Sequence, residues 1–100
     1  MGQLVTVTIE HGLGTDEAKS RIGGSFHKLG EMVPSARLSD HRWAGDNLHF
    51  TLNAMGQRVK GELQVRSEFV QAVVDLPFML AMYAGSIKDT LRTEGPKLLE

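Results

Sequence analysis

Four histidines are the first candidates for chemistry in this sequence, because imidazole is the commonest metal ligand among protein side chains. No two of them have the spacing of about two to five residues that is usual for paired ligands. Cysteine is absent, which excludes thiolate ligands, disulfides and Cys nucleophiles. We therefore predict no metal site and no cofactor. The histidines are His11, His27, His41 and His49.

A carboxylate beside an imidazole could act as an acid–base pair, and Asp40, His41 and Asp46 lie close together in the sequence. Consecutive strand residues point to opposite faces, which separates Asp40 from His41, and Asp46 is typical of a turn. Ser25 and Ser86 have no evident His partner in the sequence to activate a hydroxyl. The sequence therefore predicts a protein that is not an enzyme and has no catalytic residues.

Two further binding functions are disfavoured. Residues 12–14, Gly-Leu-Gly, lie where a phosphate-binding loop would, but Asp16 and Glu17 follow them and would repel an anion. The formal net charge is −1, and Phe69 is the only aromatic residue on the predicted solvent face of the sheet that could stack on a base. We predict no nucleic-acid binding and no membrane span.

A predicted hairpin organises the chain, because apolar and polar residues alternate on both sides of Gly-Asp-Asn. A two-residue turn, at 45–46 or at 46–47, places Trp43 on the face of Phe50 and sends the two histidines of the hairpin to opposite faces. The same alternation predicts five strands, with the first at the edge beside the last. They are residues 3–10, 36–44, 47–53, 58–66 and 69–76.

Two helices are expected to pack on one face of this sheet. Thr15 is a candidate cap for the first, which Pro34 ends; the second follows Pro77 and ends at Gly95-Pro96. The order β-α-β-β-β-β-α is that of the TATA-binding-protein-like and helix-grip class of α+β folds. The apolar stripes are Ala18, Ile22, Phe26, Leu29 and Val33, and then Leu80, Tyr83 or Ala84, Ile87 and Leu91.

The start of the second helix is unusual, because residues 78–84 (Phe-Met-Leu-Ala-Met-Tyr-Ala) are apolar or aromatic without interruption. One interpretation places all of this run in the core, with Phe78 and Met79 against the first helix. The other interpretation leaves part of it exposed, and flexible methionines suit surfaces that bind apolar partners.

Length and composition indicate one soluble domain, residues 1–95, followed by a loosely held tail, residues 96–100. The N-terminus runs directly into an alternating strand pattern without a secretory signal, so we expect a cytoplasmic protein.

A set of residues between positions 43 and 91 carries a family resemblance: Trp43-x-Gly45-Asp46-x-Leu48-x-Phe50, Gly61-Glu62-Leu63-x-Val65, Leu76-Pro77, Ile87 and Leu91. With these residues the chain resembles the polyhydroxyalkanoic acid system proteins, a family associated with bacterial polyester-granule loci. The resemblance implies a cytoplasmic bacterial protein linked to polyhydroxyalkanoate storage. It implies no catalytic residues, because the family is not assigned an activity.

Two functional hypotheses follow from these observations. In the first, the protein is an accessory protein that binds itself, a hydrophobic granule surface or a granule protein through Phe78, Met79, Met82 and Tyr83. In the second, it carries an apolar acyl-type ligand in a cavity between the helices and the sheet. That cavity would be lined by Phe26, Trp43, Phe50 and Tyr83.

Overall fold

The computed structural model describes residues 2–31 and 35–100. Within these residues the chain forms an α+β domain with five strands and two α-helices, in the predicted order. The strands are β1 (Gln3–Glu10), β2 (Ala36–Ala44), β3 (Asn47–Ala54), β4 (Gln57–Val65) and β5 (Phe69–Leu76); the α-helices are α1 (Thr15–Ser25) and α2 (Ala84–Glu94). Short 3₁₀-helices span Phe26–Glu31, Phe78–Tyr83 and Gly95–Leu99.

The sheet is antiparallel throughout, in the order β1-β5-β4-β3-β2. The first strand therefore lies at an edge beside the last, as predicted. Buried and exposed residues alternate along β1, where Val5, Val7 and Ile9 are buried. This alternation arises because successive side chains of a strand point to opposite faces of the sheet. Both helices pack on the buried face and form a single hydrophobic core with it.

The hairpin between β2 and β3 has the predicted parity. Its two-residue turn is Gly45-Asp46, and Trp43 pairs with Leu48. Gly45 has a φ of 61°, a backbone conformation that glycine adopts without steric cost. His41 pairs with Phe50 on the helix side, whereas His49 pairs with Arg42 on the other side, so the two imidazoles are separated by the sheet.

The first helix differs from the prediction of one continuous helix to Pro34. The α-helix ends at Ser25 and continues as a 3₁₀-helix, close to Gly23 and Gly24, which are poor helix residues. Ala18, Ile22 and Leu29 are buried as expected, while Val33 and Pro34 lie outside the described residues. The expected Thr15 cap is wrong, because Gly14 occupies the cap position and no side chain bonds there.

The expectation of a loosely held tail at residues 96–100 is also wrong. Leu98 and Leu99 are buried in the core. The Ser25 hydroxyl donates its hydrogen bond toward the Leu98 carbonyl oxygen at 2.7 Å or the Arg21 carbonyl oxygen at 2.8 Å. Arg21 Nη1 donates to the Leu99 carbonyl oxygen at 3.0 Å. The end of the chain is therefore tied to α1 by side-chain hydrogen bonds and by apolar burial.

Candidate functional site

The apolar surface, defined as Phe78, Met79 and Met82, is the most conspicuous feature outside the core. Phe78 is 75% exposed, Met79 69% and Met82 82%. Large apolar side chains that are exposed together are typical of interaction sites, whereas isolated ones are common on any protein. All three lie within one 3₁₀-helix of six residues, Phe78–Tyr83.

The period of this 3₁₀-helix decides which side chains face outward. Residues three apart lie on the same side of a 3₁₀-helix, so Met79 aligns with Met82, and Leu80 aligns with Tyr83. Leu80 is buried and Tyr83 is half-buried against the core, which leaves both methionines on the solvent side. The interpretation that placed the whole run in the core is therefore wrong for Phe78, Met79 and Met82.

Two more exposed apolar residues lie at the same end of the sheet. This end contains the start of β1, the end of β5 and the turn between β3 and β4, as the strand pairing requires. Leu4 and Met55 are exposed there, and Gln57 Nε2 lies 3.9 Å from the Met79 sulfur. Neither residue is among the predicted site residues. The alternation in β1 does indicate that Leu4 is exposed, because it lies on the face opposite Val5 and Val7.

The residues of the predicted cavity do not share one role. Phe50 is buried, and its ring lies over Gly61, its partner on the neighbouring strand. A Cβ added at Gly61 would lie 2.2–2.9 Å from three atoms of that ring. Phe50 therefore fills the space above Gly61 itself and is a core residue.

Phe26, which begins the 3₁₀ extension of the first helix, and Trp43 on β2 are both partly buried against the core. The ring of Phe26 lies against that of His41, with centroids 4.0 Å apart. Lys19 Nζ lies 5.3 Å from the centroid of the Trp43 ring and donates to Gly45 O at 3.0 Å and Asp46 Oδ1 at 3.1 Å. Asp46 thus pairs with a lysine at the surface and does not approach a histidine.

The polar groups considered for catalysis are dispersed. Ser25 bonds to backbone carbonyls, and His49 Nδ1 lies 4.0 Å from Glu62 Oε2 on the solvent face. Within residues 2–31 and 35–100, no three His, Asp or Glu side chains are grouped as a metal site would need. No helix in the described part of the chain is both long and apolar enough to cross a bilayer.

Comparison with known families identifies the chain. The sequence model of one family, described as Putative polyhydroxyalkanoic acid system protein, matches residues 5–99. The chain belongs to this family. The match covers β2 to β5, most of β1 and the apolar surface, and it confirms the resemblance seen in the sequence. No curated protein and no solved structure matches the chain.

Proposed function

We propose that this protein is a non-enzymatic, cytoplasmic accessory protein of a bacterial polyhydroxyalkanoate storage system. Its apolar surface, Phe78, Met79 and Met82, contacts a hydrophobic granule surface, a granule protein or another copy of the chain. The observation that supports the proposal is that these three apolar side chains are exposed together. The chain also belongs to a family whose description names polyhydroxyalkanoic acid, a storage polyester.

The energy available from this surface fits reversible binding. Burying one large apolar side chain stabilises an interface by about 1.5–3 kcal/mol, so three together supply roughly 5–9 kcal/mol. Association costs about 4–15 kcal/mol in lost translational and rotational freedom. A single apolar surface therefore gives weak attachment. Tyr83 is partly buried against the core and adds less area to the contact than the three exposed side chains.

The chemistry of the surface suits a polyester. Methionine is unbranched and polarizable and adapts to irregular apolar partners. The surface lies at the same end of the sheet as the exposed Leu4 and Met55, and its side chains are exposed in the folded protein, so an apolar plane can contact it without unfolding the chain. No proton transfer or nucleophile is needed for this role, which agrees with the dispersal of the polar groups.

The test is co-sedimentation of the protein with polyhydroxybutyrate nanoparticles. The variant Met79→Glu/Met82→Glu should lower the bound fraction at least about tenfold, because two buried contacts of this kind exceed the 1.4 kcal/mol of one decade. Its circular dichroism should be unchanged, since both side chains are exposed. The control Ser20→Glu/Thr93→Glu adds the same charge at exposed helix positions and should bind like the wild type.

Two outcomes would contradict the proposal. If Met79→Glu/Met82→Glu unfolds the protein, the methionines belong to the core and the surface is lost as a binding site. If that variant folds and still sediments with the particles like the control, another part of the molecule makes the contact.

A second candidate function, carriage of an acyl-type ligand, is favoured by one observation. Trp43 and Phe26 are only partly buried against the core, with the ammonium group of Lys19 close to the indole. A ligand inserted there would change the environment of the indole. Titration with hydroxyacyl and fatty-acyl compounds should then shift or quench Trp43 fluorescence, and a flat response across the panel would refute this function.

A further inference from the structure

The two edges of the sheet differ in how they are protected. The edge formed by β2 carries a register shift between Leu38 and Asp40 and the charged residues Arg37, Asp40 and Arg42. Bulges and charges are the usual devices that prevent an edge strand from pairing with another chain. At the opposite edge β1 has neither over residues 3–9: its register with β5 is continuous, and it contains no charge and no proline there.

The hydrogen-bonding phase of β1 shows which backbone groups are open. The amide of His11 donates to the Glu68 carbonyl oxygen at 2.9 Å. In an antiparallel pair the residues that bond to the neighbour alternate with those that point away. Odd-numbered β1 residues therefore bond to β5. The N–H and C=O groups that point to the open edge belong to Leu4, Thr6, Thr8 and Glu10, whose side chains are also exposed.

We propose that two copies of the chain pair through β1, antiparallel about a two-fold axis, and join their five-stranded sheets into one of ten strands. An antiparallel edge is self-complementary, because the same row of donors and acceptors meets itself under a two-fold rotation. Threonines then face one another across the junction, which is a favourable cross-strand pair. This inference is independent of the proposed function, which uses a different surface.

The charge pattern of β1 suits pairing with a second copy of the same strand. β1 is uncharged from Gln3 to Ile9 and ends in Glu10. Antiparallel pairing brings Glu10 of each copy to the uncharged start of the partner strand, at Gln3 and Leu4. The two carboxylates therefore lie at opposite ends of the junction, and no like charges face one another across it.

The first measurement is the mass in solution, by light scattering over a range of concentrations. The wild type should weigh twice the 11.0 kDa chain. Thr6→Lys/Thr8→Lys should raise the dimer dissociation constant at least about tenfold, because it places like charges opposite one another. Both side chains are exposed, so the fold should persist. Gln64→Lys/Thr93→Lys adds the same charge elsewhere and should remain dimeric.

The second measurement locates the contact by amide hydrogen exchange. In the dimer, the amides of Thr6 and Thr8 should be protected. In the monomeric variant, the amides of Leu4 and Glu10, which point to the same open edge, should exchange freely. A wild type that stays monomeric, or a dimer with unprotected β1 amides, would overturn the inference. So would a dimer that Met79→Glu/Met82→Glu dissociates, because its contact would be the apolar surface. Failure of particle binding alone would leave the β1 dimer intact.

Discussion

The packing of Phe50 over Gly61 gives a sharp test of the core and of the cavity hypothesis. Replacing Gly61 with alanine places a methyl group 2.2–2.9 Å from three ring atoms, whereas carbon atoms in contact are normally about 3.5–4.0 Å apart. Phe50 is buried and paired on both sides, with His41 and with Gly61. The ring therefore has to move against a close-packed neighbourhood.

The expected cost follows from two opposing effects. Overpacking a well-filled core costs about 1–3 kcal/mol, while replacing a strand glycine with alanine recovers roughly 0.5–1 kcal/mol of backbone entropy. The clash is larger, so Gly61→Ala should lower the free energy of unfolding by about 1–2 kcal/mol. Each kcal/mol corresponds to a fall of about 4–8 °C in Tm for a domain of this size.

A double-mutant cycle isolates the contact. Phe50→Ala alone should cost about 3–5 kcal/mol, and in that background Gly61→Ala should become neutral or stabilising, because the ring is gone. The coupling energy should then be about 1–3 kcal/mol, within the range for residues in contact. Urea denaturation followed by the fluorescence of Trp43, the single tryptophan, measures all four stabilities.

Gly85→Ala is the matched control, since a Cβ at Gly85 in α2 meets no atom within 4 Å. It should stabilise the protein by about 0.5–1 kcal/mol through helix propensity. If Gly61→Ala costs the same in both backgrounds, or costs nothing, the Phe50 ring does not fill the space above Gly61. That space would then be open to a ligand, as the carrier hypothesis requires.

Four further substitutions test structural contacts. Gly95→Ala should cost about 1–2 kcal/mol, because its Cβ would lie 2.5 Å from Ile9 Cδ1; thermal melts should show most of this recovered in an Ile9→Val background, and equal losses would contradict the contact. Ser25→Ala should cost about 1 kcal/mol and Leu98→Ala about 2–5 kcal/mol in urea titrations; a negligible effect of Leu98→Ala would mean that the chain end is not packed. Asp46→Asn should cost less than about 1 kcal/mol, and a larger loss would indicate a role beyond the surface pair with Lys19.

The sheet could be predicted from the sequence because its information is local. Alternation fixed the strands to within a residue or two, and the even turn after Trp43 settled the face of every residue in the first hairpin. The turn between β3 and β4 has two residues, Met55 and Gly56, where the predicted strand ends leave four. Both residues adopt positive φ, 53° and 77°, and β3 and β4 each extend by one residue toward the turn. Turn parity alone also predicts that His41 and His49 lie on opposite faces, as the structure shows.

The candidate site could be located in the sequence, but which of its side chains are exposed to solvent could not be predicted. A run of seven apolar residues has no periodicity, so the pattern does not predict which side chains are buried. Their burial is determined by the local helix type, because residues 78–83 form a 3₁₀-helix rather than an α-helix. The docking of the chain end was not predictable either, because Ser25 and Leu98 are 73 residues apart and neither has a local signal for the other.

The two proposals combine into a constraint on how the protein could act at a granule. The apolar surface lies at the end of the sheet where β1 begins, and antiparallel pairing sends the two β1 starts to opposite ends of the dimer. A two-fold axis through this junction keeps all helices on one face of the joined sheet. The two apolar surfaces therefore lie at opposite ends of the dimer, and each can contact a different particle. A dimer of this geometry can join two particles, and the weak attachment expected of each surface would make that bridge reversible.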